Sequence, residues 1–184
     1  CVILGTGFIV DPRIYMKNFE LRGRNGHTVQ EDWKVSPTSY YGITTANYPN
    51  MYQLVGPHTG LGHNSIIFMI EAQADYIVNC VKLLQAKGNG YLDVKEEAQN
   101  RFLGEMTQAL KGTVWDSGCK SWYQTAEGIN FAIWPKSTWR YWLATRKVNE
   151  ADYRFVKCAG QGTVGAAGAQ AGAGAQAMAP TAAR

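Results

Sequence analysis

The chain has 184 residues, 46% of them hydrophobic and 17% charged. That is enough for one domain with a substantial core, and too apolar for global disorder or a fibrous repeat. The net charge of +4 arises from 18 Lys and Arg against 14 Asp and Glu scattered along the sequence, without the basic block that marks a nucleic-acid partner.

Cys1, Cys80, Cys119 and Cys158 lie far apart, with neither CxxC nor CxxH spacing. A disulfide framework or a zinc site needs closer pairing, and His27, His58 and His63 do not complete one. The expectation is reduced thiols in a cytoplasmic protein without a metal. The longest apolar stretch, near 65–86, is broken by Glu71, Gln73 and Asp75, so it is not a membrane span.

The chain opens on Cys1 rather than Met, and Cys1-Val2-Ile3-Leu4 reads as the end of a buried strand. The expectation is a piece of a longer protein. Gly5-Thr6-Gly7-Phe8 then turns the chain where backbone can approach a ligand. Residues 9–50, rich in Pro, Gly, Asn and Tyr, predict long irregular structure with a short strand near 40–45. Segments of that length usually line a site or cover a neighbouring domain. A second strand is predicted over 51–56.

A helix is predicted over 65–86, with Asn64 as its N-cap and Gly88 and Gly90 ending it. Ile66, Ile70, Ala74, Ile77, Val81 and Leu84 form its apolar stripe. A second helix is predicted over 94–111, with Val94, Ala98, Phe102, Met106 and Leu110 inward, and a short aromatic one over 138–146. Residues 1–158 thus read as one folded unit. Residues 159–184, rich in Ala and Gly, have little to bury against their ordering entropy and read as a flexible tail.

Two stretches suggest chemistry. In Leu54-Val55-Gly56-Pro57-His58-Thr59-Gly60-Leu61-Gly62-His63-Asn64-Ser65 a strand ends at Gly56, a glycine-rich loop follows and the longest helix begins. A helix start offers unpaired N–H groups and about half a positive charge to an electron-rich ligand. His58 and His63 lack a carboxylate partner at helical spacing, and no GxSxG nucleophile occurs, so both read as orienting donors and no catalytic residue is assigned. The other stretch is aromatic. Trp115, Trp122, Trp134, Trp139 and Trp142 fall between 113 and 142, reading first as a satellite core and second as a stacking surface. Cys119 beside Lys120 is a weak candidate for an acidified thiol.

At these stretches the sequence resembles the carboxyl-terminal part of class B flavoprotein monooxygenases, the flavin-containing and Baeyer–Villiger type enzymes. Gly5-Thr6-Gly7-Phe8 resembles that family's Ala-Thr-Gly-Phe turn, with Gly in place of Ala. Asn47-Tyr48-Pro49-Asn50-Met51-Tyr52 followed by Gly56-Pro57 is similar to its "(F/Y)PN(L/M)(F/Y)…GP" segment. Leu61 to Ile66, Gly112 to Trp115, Ser121-Trp122-Tyr123 and Trp134-Pro135 are similar to a subgroup.

The resemblance implies an α/β fold: the carboxyl-terminal part of a Rossmann-type FAD-binding domain, followed by a helical, aromatic-rich segment. It implies an FAD- and NADPH-dependent monooxygenase that inserts one oxygen of O2 into a small organic substrate. Ketone to ester is the first choice, and amine or sulfide oxygenation the second. It places Thr6, Gly7, Gly56, Leu61, His63, Asn64 and Ser65 beside the cofactor. The family's pyrophosphate-binding βαβ turn, its FxGxxxHxxx(W) fingerprint and the arginine of Baeyer–Villiger members do not stand ahead of the Gly-Thr-Gly turn. The one GxGxxG string, Gly160 to Gly165, follows no strand and falls in the Ala- and Gly-rich tail. The expectation is therefore about the last third of such an enzyme, dependent on an amino-terminal FAD and NADPH portion. The alternatives are a self-standing aromatic-rich binding module and an inactive remnant.

Overall fold

The computed structural model describes residues 1–4, 10–116 and 121–157. The predicted turn at Thr6 and Gly7, Cys119, and the tail over 159–184 lie outside the described residues.

Two short helices open the chain. In α1 (Pro12–Tyr15), Asp11 caps the start and Pro12 supplies the fixed φ of a first helical position. A 3-10 turn over Met16–Asn18 follows. Helix α2 (Val29–Asp32) is a single turn, stabilised by a reciprocal capping box between Thr28 and Glu31. It buries Val29 and Trp33 against Tyr48 in a small satellite core.

Helix α3 (Ile66–Ala86) is the longest element. Its inward face is Met69, Ala72, Gln73, Tyr76 and Cys80, so the helix is turned relative to the predicted stripe. Ile66, Ile77 and Leu84 are partly buried, while Ala74 and Val81 face solvent. The rotation follows from Gln73, a polar residue that periodicity assigns outward but whose amide is fully hydrogen-bonded inside.

Strand β1 (Gly90–Val94) and helix α4 (Glu96–Leu110) come next, so Val94 belongs to the strand rather than to the helix. Ala98, Phe102, Met106 and Leu110 are buried as predicted. After a 3-10 turn over Val114–Asp116, α5 (Thr138–Thr145) packs on α3, and a last 3-10 turn leads into strand β2 (Tyr153–Lys157). Strand β2 pairs antiparallel with β1, in register from Gly90 opposite Lys157 to Val94 opposite Tyr153.

The main core is aromatic and tied together by hydroxyl groups. Phe102 stacks on Trp134, Trp134 meets Tyr141 edge-on, and Tyr40 packs against Phe102 and Tyr153. The Tyr76 and Tyr153 hydroxyls share a hydrogen bond of 3.0 Å, and Tyr40 donates to Asp152 at 2.9 Å. Burial pushes the Asp152 carboxyl up, but hydrogen bonds from Tyr40 and Arg101 outweigh it and hold the group below its ordinary range.

Three strand predictions fail. Val2, Ile3 and Leu4 are 80–89% exposed, because no described strand lies beside them to complete a ladder. Residues 40–45 make one antiparallel bridge, Tyr40 to Thr44, closed as a turn. Residues 51–56 are an extended loop whose Gln53 N–H donates to the Ile43 carbonyl. Among the described residues the sheet is thus two-stranded and antiparallel, in a mixed helix-and-strand fold. No described helix is long and apolar enough to cross a membrane.

Candidate functional site

The site is built on a loop that the motif Asn47-Tyr48-Pro49-Asn50 anchors. Asn47 and Asn50 take left-handed backbone, at φ 70° and 55°, which Asn tolerates better than other residues with a Cβ. Asn50 docks on β1 as a short third strand would. Its N–H donates to the Leu92 carbonyl, its Oδ1 accepts the Leu92 N–H at 2.9 Å, and its Nδ2 donates to the Gly90 carbonyl. The Asn47 N–H donates to the buried Asp93 carboxylate, which Arg24 also contacts.

From this anchor the chain runs through Gln53, Leu54 and Val55 to Gly56. Val55 is left-handed at φ 55°, a conformation that costs a β-branched residue about 1–3 kcal/mol. The Gly56 N–H donates to the Gly42 carbonyl, and a Cβ on Gly56 would stand 2.5 Å from that oxygen. Only glycine permits the approach. Residues 58–60 then pair with the 131–134 segment: His58 N–H to the Phe131 carbonyl, Gly60 N–H to that of Ala132, and Trp134 N–H to that of Gly60.

Between these segments lies a cleft of about 450 Å³. The loop contributes Gln53, Leu54, Val55, Gly56, Pro57, Gly60 and Leu61. Val10, Pro12 and Tyr15 close one side, and Trp122, Phe131 and Ala132 another. Ile66, the first residue of α3, completes it. The described lining is mostly apolar, with no charged side chain among the described residues, and its size suits a small ligand or one planar ring system.

The start of α3 differs from the prediction. Ser65, not Asn64, holds the N-cap position, and it makes no side-chain cap bond. The Asn64 Oδ1 accepts the Ser65 N–H, and its Nδ2 donates to Thr138 Oγ1 at 2.9 Å. Asn64 therefore ties α3 to α5, leaving the first-turn amides of α3 without a cap from either side chain. The positive end of the helix dipole opens toward solvent beside Ile66.

His58 and His63 separate. His63 is exposed at the helix start, whereas His58 is buried, with its ring edge-on to Phe102. Burial pushes the His58 imidazole down to about 4, so the ring is neutral, and its Nδ1 has no hydrogen-bond partner. It packs on Phe102, hydrogen-bonds the Ile133 backbone and does not line the cleft. Of the residues predicted to meet a cofactor, Gly56 and Leu61 line the cleft, while His63, Asn64 and Ser65 sit exposed at its helical edge. Leu54 and Val55, read in the sequence as the end of a strand leading into this loop, line the cleft. Sequence reading missed Phe131, which is buried behind the loop and reaches the cleft only through long-range pairing.

The aromatic block also divides. Trp134 is in the main core; Trp115 and Trp122 pack on Tyr123; Trp139 and Trp142 pair on α5. It forms no single stacking surface, and Trp122 alone among these tryptophans reaches the cleft. The described residues contain no cluster of His, Cys, Asp or Glu able to hold a metal ion.

The fold, as distinct from the site, has structural counterparts among monooxygenases bound to NADP. The fold superposes on a steroid monooxygenase bound to NADP with a TM-score of 0.66 and 23% identity, over 76% of this chain and 26% of that one. A cyclohexanone monooxygenase from Rhodococcus bound to NADP+ gives a TM-score of 0.66 at 22% identity, over 78% of this chain and 28% of the other.

The sequence relationship is closer. The chain is 38% identical over 156 residues to a Baeyer–Villiger monooxygenase of Pseudomonas aeruginosa, covering 84% of this chain and 29% of that protein. It is 35% identical over 176 residues to a Baeyer–Villiger monooxygenase of Streptomyces coelicolor, covering 95% of this chain and 33% of the other. An FAD-binding monooxygenase of Aspergillus niger is 32% identical over 157 residues. The chain is thus homologous to one portion of the Baeyer–Villiger and FAD-binding monooxygenases. It spans about a third or less of the length of these relatives. No family model matches it.

Proposed function

We propose that this chain is the carboxyl-terminal portion of an FAD- and NADPH-dependent monooxygenase. In this reading it completes a Rossmann-type FAD domain and helps insert one oxygen of O2 into a small organic substrate. Ketone-to-ester conversion is the preferred reaction, because the Baeyer–Villiger relatives are the nearer of those named above. One observation carries the proposal: an apolar cleft sized for a ring system ends on the first residue of a long helix whose start is uncapped.

The fit to the cofactor is partial, and informatively so. Leu54, Leu61, Phe131 and Trp122 present apolar surface suited to one face of an isoalloxazine ring. Among the described residues no Lys or Arg lines the cleft, so the described lining suits the ring and not the pyrophosphate. The phosphates and adenine then belong to an amino-terminal portion, which also supplies the NADPH site. The flavin supplies the redox chemistry that passes electrons from NADPH to O2. This chain's residues exclude water from the ring, while the α3 start stabilises negative charge at its edge by about 1 kcal/mol. The buried free thiol of Cys80, pushed up to about 12 by burial, suits a reducing compartment such as the cytoplasm.

The test is to express the complete protein and record its visible spectrum, its NADPH consumption with a cyclic ketone, and the product mass. A yellow protein near 1:1 in FAD, with a product one oxygen heavier, is the expected result. A colourless protein with the upstream portion present rejects the reading.

A further inference from the structure

The strained residue at the mouth of the cleft is held from behind by a buried relay. The Val55 N–H donates to Gln73 Oε1 at 2.9 Å. Gln73 Nε2 donates to the Tyr141 hydroxyl at 2.9 Å, and that hydroxyl donates to the Tyr41 carbonyl at 2.6 Å. Gln73 and Tyr141 are both fully buried. The orientation of the amide is forced: a backbone N–H can only donate, so the atom facing Val55 is the oxygen.

Both ends of the relay are left-handed. Tyr41 has φ 54° and Val55 φ 55°, and the glycine following each packs against the other through the Gly56 to Gly42 hydrogen bond. Two turns that ordinary side chains avoid are therefore braced against each other, with one amide from α3 and one hydroxyl from α5 spanning them. The residue so held is no interior packing residue. Val55 is 45% exposed and Leu54 49%, and both line the cleft. Strain kept at a ligand-facing position by surroundings that over-determine it is the pattern of a functional constraint.

We propose that Gln73 is a positioning residue: by holding Val55 in its left-handed conformation, it sets the aim of Leu54 and Val55 and so the shape of the cleft mouth. That this mouth is where substrate meets the flavin ring rests on the monooxygenase reading; the brace itself does not. Without the amide, Val55 relaxes to an extended backbone and Leu54 swings out of the lining.

The test uses the complete protein and Gln73→Met, which keeps length and helix propensity while removing both polar atoms. Tyr141 still donates to Tyr41, and the freed Val55 N–H is close enough to the surface to meet water, so the variant folds. Amide exchange at Val55 is expected to rise by about 100-fold or more, as a braced group becomes an open one. The KM for a cyclic ketone is expected to rise by about tenfold, with kcat within about twofold. In a Val55→Gly background, where left-handed backbone is free of strain, the same Gln73→Met change should move KM by less than about threefold.

Unchanged exchange at Val55 overturns the brace. Raised exchange with an unchanged KM, or an equal effect in the Val55→Gly background, overturns the positioning role. A complete protein without FAD overturns the monooxygenase reading instead. In that case exchange at Val55 and the affinity for 1-anilinonaphthalene-8-sulfonate, measured with and without Gln73→Met, still decide whether the relay shapes the cleft.

Discussion

An imidazole sealed against Phe102 shapes the loop after Gly56 and makes stability depend on pH. The unfolded chain takes up a proton on His58 near pH 6.5, whereas burial holds the folded imidazole near 4. Between those values the unfolded state binds the proton that the folded state refuses. Stability therefore falls as pH drops from about 6.5 to about 4 and then levels, by up to about 3 kcal/mol. Asp152 acts in a separate window. Its lowered pKa gives stability that is present above its unfolded value and lost only as pH falls through the folded value, below the His58 range. Urea melts of the chain at pH 7, 5.5 and 4.5 measure the slope, and His58→Asn, which tolerates the left-handed φ of 63°, is expected to remove most of it. The sequence could not separate His58 from His63. Their difference lies in a backbone angle and a packed ring, neither of which leaves a mark in composition or spacing.

Helices were the legible elements. The starts and ends of α3, α4 and α5 fall close to the spacing, caps and glycines that predict them, because helix signals are local. The strands were not. β1 and β2 lie some 60 residues apart in the chain and pair only through the fold, and β1 is short enough for its Val94 to read as the first turn of α4. The motif around Asn50 was legible as a resemblance, but its physical role on the edge of β1 was not. That role is testable. Asn50→Ala loses the two side-chain bonds, to the Leu92 N–H and the Gly90 carbonyl, and adds left-handed strain, an expected cost of about 2–3 kcal/mol in chemical denaturation. Asn50→Gly loses the same bonds without the strain and should cost about 1 kcal/mol less. Equal losses would mean that the backbone angle carries no weight. Asn64 was legible as a polar residue at a helix start, yet it bonds Thr138 instead of capping α3. A double-mutant cycle of Asn64→Ala with Thr138→Val should return a coupling of about 1 kcal/mol. Additive effects would show that Asn64 does not join the two helices.

For the molecule as a whole, the resemblance carried further than pattern reading. Leu54 to Pro57 and Leu61 located the cleft, while Phe131 and the isolated reach of Trp122 into it came only from long-range packing. The absence of charge among the described lining residues has a quantitative consequence for the chain by itself. An isoalloxazine ring has on the order of 20 heavy atoms, worth about 0.3 kcal/mol each when fully engaged. Contact with one face halves the total to about 3 kcal/mol, which corresponds to a dissociation constant in the millimolar range. Among the described residues no basic side chain in the cleft adds to that sum, so on the described lining FAD and lumiflavin should bind the 184-residue chain about equally weakly. The complete protein should hold FAD tightly and lumiflavin only weakly, because the phosphates and adenine gain their contacts from the other portion. Flavin fluorescence titrations of both forms make the comparison. Micromolar or tighter binding of FAD by the chain alone, with lumiflavin left behind, would place phosphate contacts within these residues and overturn the division of the cofactor between the two portions.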